Sequence, residues 1–302
     1  MATIFDRLLL AKLEVTKGTD AVPTAAQDAM RVKSFAITVN QSNVDRAVVK
    51  QTMGNLPHLV DPDASASIEI VWELKGSGTA GTAPESSPII QACRTLETVG
   101  AGIVSYAPST ATEKSCTIYA YKDGLLWRFV GAVGTISITE NIGEAPTATA
   151  SMQAVYAAPV VAAVPAGAVY DATAPSVVSS ADVISDGLAI RVGAFSIDLG
   201  NDVQEHKIVN LHEFTVSNRN PTITFSKDSV ATAAEWAALR GGTNASISST
   251  VGATAGNIVS VSAPQARRQS VAYGERAERD TLDVTYTLFE STSDDQFTIT
   301  FS

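Results

Sequence analysis

Phe35, Ile37 and Val39 alternate with Ser34, Ala36 and Thr38, the period-two pattern of a strand with one face buried. Ile68, Ile70, Trp72 and Leu74 alternate with Glu69, Val71, Glu73 and Lys75 and predict a second strand, with Glu69 and Glu73 on its polar face. The segment from Asn40 to Pro62 between them has no clean period and is too long for a hairpin turn, so it is expected to order against a partner. Gly76–Ser87 is read as a flexible glycine loop. Ser87 followed by Pro88 then marks a helix start. Ile89, Cys93, Leu96 and Val99 fall on one helical face up to Gly100, which predicts a helix over Pro88–Val99. Cys116–Tyr121, Leu125–Thr139 and Thr147–Tyr156 read as strands, the first two joined by a hairpin turn at Asp123-Gly124.

The pattern then starts again. Arg31-Val-Lys-Ser-Phe-Ala-Ile37 returns as Arg191-Val-Gly-Ala-Phe-Ser-Ile197, a shift of 191 − 31 = 160 residues. Alternation follows at Phe195, Ile197 and Leu199 and at Ile223 and Phe225. A short helix over Ala233–Arg240 is predicted from a Thr232/Glu235 capping box and closed by Gly241-Gly242. Strands are expected at Asn257–Ser262, Thr281–Phe289 and Phe297–Phe301. Self-similarity on this scale predicts a duplicated domain. The expected division is 1–157, a linker at 158–175 rich in Ala, Val and Pro, and 176–302. The fold class is mainly β: two tandem sandwich or half-barrel units, each with one flanking helix.

Composition narrows the function classes. The 302-residue chain is 45% hydrophobic and 17% charged, a globular composition. Its net charge of −10 divides as 12 − 15 = −3 over residues 1–156 and 9 − 16 = −7 over the rest. A protein that grips nucleic acid through its phosphates needs a basic surface, so conventional DNA binding is disfavoured. Cys93 and Cys116 are too few for a disulfide scaffold and read as free thiols. The charged start Asp6-Arg7 and the short run Leu8–Ala11 do not make a secretory leader, and nothing reads as a membrane span.

Catalytic and ligand motifs are weak. Gly76-Ser-Gly-Thr-Ala-Gly81 spells a dinucleotide fingerprint, but five residues separate it from the predicted helix start, and the preceding strand alternates rather than being apolar throughout. His206 and His212 have no metal-site spacing. No nucleophile elbow or zinc-protease motif occurs. No catalytic, cofactor or metal residue is assigned, and no cofactor is expected.

The chain resembles the tail tube (major tail) proteins of long-tailed bacteriophages. The likeness rests on Leu8–Asp20 with Pro23-Thr24, on Asp45-Arg46 with Met53-Gly54, and on Trp72–Gly78 leading into Pro84 and Pro88. In the second half it rests on Phe195–Asn201 and Arg219-Asn220-Pro221. The resemblance implies a structural virion protein, not an enzyme. Inner sheets would join edge to edge into a barrel, and rings would stack through long loops and terminal arms. Such a tube encloses the tape-measure protein, meets terminator and distal tail proteins at its ends, and conducts DNA as passing cargo, with no membrane partner. It would be assembled in the host cytoplasm and sit in the virion tail. On that reading Asp45, Arg46 and Lys50 are candidate inter-ring or inter-subunit contacts, and Glu69 and Glu73 are candidate acidic residues of the channel wall. Two tube domains per chain favour a trimeric, pseudo-sixfold ring over a hexamer with the second domain outside. The rival class is a surface or capsid-decorating protein of two immunoglobulin-like modules.

Overall fold

The computed structural model describes residues 7–46, 48, 53–54, 56–61, 63–179, 183–185, 187–229 and 233–302. The first half runs β1 (Leu8–Leu13), β2 (Ala29–Met30), β3 (Ser34–Asn40), β4 (Asn43–Val44), β5 (Leu59–Val60), β6 (Ser65–Glu73), α1 (Ser87–Ala92), β7 (Thr95–Gly100), β8 (Ile103–Pro108), β9 (Cys116–Lys122), β10 (Leu125–Asn141), β11 (Thr147–Val155) and β12 (Val160–Val161). The second runs β13 (Ile184–Ser185), β14 (Leu188–Ala189), β15 (Val192–Asp198), β16 (Asn201–Ile208), β17 (Leu211–Arg219), β18 (Thr222–Asp228), α2 (Ala234–Gly241), β19 (Asn244–Val251), β20 (Val259–Arg276), β21 (Arg279–Leu288) and β22 (Thr298–Phe301). The fold is mainly β, as the alternation predicts.

One strand order occurs twice. β3 pairs with β6, β6 with β11, and β11 with the second part of β10; β15, β18, β21 and the second part of β20 repeat that order. The first part of β10 pairs instead with β9, and the first part of β20 with β19. Both long strands therefore turn a corner between two sheets. At each corner the long strand carries one extra residue, four opposing three: Phe129 to Ala132 against Ile118 to Cys116, and Ala263 to Ala266 against Ile247 to Ala245. A bulge of this kind bends a strand and increases its twist. Each helix lies between the same two strands of its half, α1 between β6 and β9 and α2 between β18 and β19.

The halves join by continuing each other's sheets. Ser137–Asn141 of β10 pair with Asp198–Ala194 of β15, so the two inner sheets form one sheet of eight strands. On the outer layer the C-terminal strand β22 pairs with β8 of the first half. The inward row Trp72, Ala148, Ile138, Ile197, Ile223 and Tyr286 crosses both halves without a break, and every member is buried. Hydrophobic burial is thus continuous across the junction.

Several expectations need correction. The first helix ends at Ala92, and Thr95–Gly100 is a strand. Arg94 takes a left-handed φ of 58° that stops the helix, and β-branched Thr95, Thr98 and Val99 favour the hairpin with β8. Leu8–Leu13 is no free arm: β1 lies between β2 and β9, with Leu8–Ala11 buried. Gly76–Ser87 is pinned at its start, where Gly76 N–H donates to Asn257 Oδ1 and Gly78 N–H to the Gly256 carbonyl. A Cβ at Gly76 would lie 2.1 Å from that carbonyl oxygen, so glycine is required for the close approach. The strand expected at Asn257–Ser262 begins at Val259 and continues to Arg276. Of the Thr232/Glu235 capping box, Thr232 lies outside the described residues. Glu235 turns away from a capping role to Lys227 and Arg268, while Gly242 closes α2 in the left-handed region as expected.

Candidate assembly interface

The eight-stranded inner sheet has one buried and one exposed face, and the exposed one is hydroxyl-rich. Reading one register row across it gives Glu73, Thr147, Thr139, Ser196, Thr224, Thr285 and Ser270. β-Branched Thr satisfies strand preference while leaving a polar, uncharged surface. The fixed charges on this face are of both signs with a slight acidic excess: Glu69, Asp198, Asp228 and Asp283 are exposed and Glu73 is half-buried beside Lys33 at 3.9 Å. Arg267 is an exposed cation at one end of the rows, and Arg276 and Arg279 are exposed at the other. Glu69 and Glu73 therefore share one face, as their spacing predicts.

The sheet also has two bare edges. Among the described residues β3 has a strand partner on one side only, β6, and β20 beyond Arg267 has one on one side only, β21. Unpaired edges present rows of N–H and C=O groups that template pairing with another strand. The repeat gives the two edges a shared coordinate. Ser34, Val71, Thr149 and Ser137 lie in one row of the first half, and Ala194, Ser226, Asp283 and Ala272 in the matching row of the second. The bare stretch starting at Ala272 is thus the counterpart of Ser137–Asn141, the stretch that joins the halves.

The long loop predicted over Asn40–Pro62 contains the small hairpin β4–β5, with Asn43 opposite Val60 and Val44 opposite Leu59. Asp45 and Arg46 are exposed just beyond β4, and Lys50 lies outside the described residues. Among the described residues neither Asp45 nor Arg46 has a hydrogen-bond or ion-pair partner. Sequence reading missed the matching element of the second half, the hairpin β16–β17, which folds back over β10 and β11. Phe214 and Val216 are buried there with Val133, against Val155 and Val203. Asn201 donates to the carbonyls of Cys93 and Gly134, and Arg94 to that of Val216.

Glu140 lies at the seam itself, opposite Phe195 on β15 and 2% exposed. Its carboxylate accepts from Ser249 through one oxygen, and the other has no partner within the chain. Burial pushes its pKa up to about 7. A carboxyl whose folded value exceeds its unfolded one favours folding at low pH and loses that contribution as pH rises through the folded value. Wild-type stability should therefore fall by roughly 2–4 kcal/mol between about pH 4.5 and pH 7.5 from this group. The variant Glu140→Gln should lose that slope, which urea melts of both proteins across the window would measure. Identical slopes would contradict it.

The remaining candidates for chemistry have ordinary partners. His206 and His212 lie by Glu213 and Glu205 on the β16–β17 hairpin. No group of three potential metal ligands occurs among the described residues. Cys93 and Cys116 are free and buried, as expected. No helix among the described residues is long and apolar enough to cross a membrane.

A duplicated β-module with a polar face, two bare sheet edges and long hairpins is built to associate with its own kind. The family comparison agrees: the model for phage tail tube proteins matches residues 5–288. The chain belongs to the phage tail tube protein family and is a structural component of the virion tail. A search of curated proteins finds no match.

Proposed function

We propose that three copies close into a pseudo-sixfold ring, that rings stack into the tail tube, and that the tube encloses the tape-measure protein and later conducts DNA. The tail terminator and distal tail proteins meet its two ends, and assembly takes place in the host cytoplasm. The two tube domains are 1–157 and 176–302, joined by 158–175. The pairing of β10 with β15 carries the reading, because it joins two copies of one module edge to edge within a chain. Repeating that junction between chains uses up both bare edges. A hexamer with the second half outside would leave those edges unpaired, so the pairing favours the trimer. The hydroxyl-rich face, with its slight acidic excess, becomes the channel wall, whose repulsion of DNA acts only within about 8 Å at physiological salt, a non-stick lining. Glu69 and Glu73 belong to that wall. Asp45, Arg46 and Lys50 belong to the loop that reaches neighbouring copies.

The row equivalence sets the closing register: Ala272 opposite Thr38, Tyr273 opposite Ile37 and Gly274 opposite Ala36 of the next copy. Cross-strand Cα atoms about 4.5–5.5 Å apart are within disulfide range. The double variant Thr38→Cys/Ala272→Cys should therefore oxidise into covalently closed rings. Thr38→Cys/Ser270→Cys, two residues out of register, should not. Electron microscopy and mass per ring complete the test. Rings of three 31.5 kDa chains are expected, and six chains per ring would defeat the trimer.

A further inference from the structure

The internal junction is held by more than its strands, and the second device has an unused counterpart. The β16–β17 hairpin leaves the inner sheet after β15 and lies on the preceding module, where Phe214 is 2% exposed. The first half sends out its own hairpin, β4–β5, at the same point, after β3 and before β6. Leu59 stands nine residues ahead of Ile68, as Phe214 stands nine ahead of Ile223 (68 − 59 and 223 − 214). Yet Val44, Leu59 and Val60 are 56%, 57% and 60% exposed. The receiving surface shows the same contrast. Val155, six residues beyond Thr149, lies under the β16–β17 hairpin; Phe289, six beyond Asp283, is 42% exposed with Arg267 over its ring at 5.5 Å.

We infer that the β4–β5 hairpin of one copy docks on the Phe289–Arg267 patch of the neighbouring copy in the same ring, as β16–β17 docks on Val133 and Val155 within the chain. The inference rests on the ring reading above and names a second junction contact, distinct from the strand edges. Its occupant is a second copy of this chain, because the internal junction supplies the pattern, and the β4–β5 hairpin and the Phe289–Arg267 patch are the uncovered counterparts of its two sides. Contacts of this head-to-tail kind close when the rotation closes. The apolar side chains then leave water at both ends of the chain, which accounts for an exposed patch on each.

Two variants test it. Leu59→Asp should fold with an unchanged melting temperature, since Leu59 is exposed in the single chain. It should need roughly tenfold or more higher concentration to assemble, a loss of about 1.4 kcal/mol per junction. Leu59→Cys/Phe289→Cys, oxidised after assembly, should give a covalent ladder that stops at the number of copies in one ring. Assembly of Leu59→Asp at the wild-type concentration would overturn the docking while leaving the tube reading intact. A ladder running on beyond one ring would also overturn it, because the hairpin would then reach the next ring. Failure of the wild-type chain to form rings or tubes would defeat the ring reading and this inference with it.

Discussion

Lys75→Met should cost roughly 3–5 kcal/mol, the usual loss when one member of a buried charge cluster is removed. Lys75 is 6% exposed at the end of β6. Its ammonium donates to the carbonyls of Asp171 at 2.9 Å and Thr173 at 3.0 Å, and faces Glu85 at 3.8 Å and the Asp171 carboxylate at 3.7 Å. Burial holds the Glu85 carboxyl above its ordinary value, and the Lys75 charge is the chief influence opposing that rise. Without the cation, two acids lie close together with little solvent and two carbonyls lose their donor. Methionine supplies the chain length but no charge. A midpoint lowered by roughly 5–15 °C is expected for a chain of this size. The deficit should shrink as pH falls towards 5, because a protonated Glu85 no longer needs the lysine. Thermal melts at pH 5 and pH 8 check both parts, and a deficit that grew on acidification would contradict the account.

Phe214→Ala should release the β16–β17 hairpin from the first half. Removing a buried phenylalanine costs about 3–5 kcal/mol. Among the described residues the hairpin pairs with no third strand, and an isolated two-stranded hairpin is marginal in water. Its attachment therefore depends on Phe214, Val216 and the hydrogen bonds at its root. Amide exchange over residues 201–219 should rise steeply while the inner sheet stays protected. Uniform exchange across the second half would mean that the hairpin and sheet open together.

What was legible in the sequence follows from what each pattern encodes. β3, β6, β15 and β18 carry one buried face each, so alternation shows them, and the shared Arg-Val…Phe…Ile pattern shows the repeat. β7 misleads because Leu96 and Val99 are exposed, so their helical spacing with Ile89 and Cys93 is coincidence. The better signal was the β-branched run ahead of Gly100-Ala101-Gly102. β1 is apolar without alternation because both of its faces are covered, a pattern easily read as a loose terminal arm. β16 is exposed almost throughout and turns at Val209-Asn210 without glycine, which leaves periodicity nothing to register. The assembly surface divides the same way. Glu69 and Glu73 were legible because a strand's period sets its faces. Which edges are bare, and that Phe289 and Leu59 match the packed pair Val155 and Phe214, are facts of three-dimensional pairing.

Fusing two modules through β10 and β15 also changes the kinetics of building a wall. In the proposed three-chain ring half of the seams are already made inside each chain, so closure would need three molecules to meet, and the ring's population would scale with the third power of free protein instead of the sixth. Dilution then penalises nucleation far less. The fused seam cannot part without unfolding the chain, whereas the proposed seams between chains could, so a stressed ring of that kind would open along three predetermined lines.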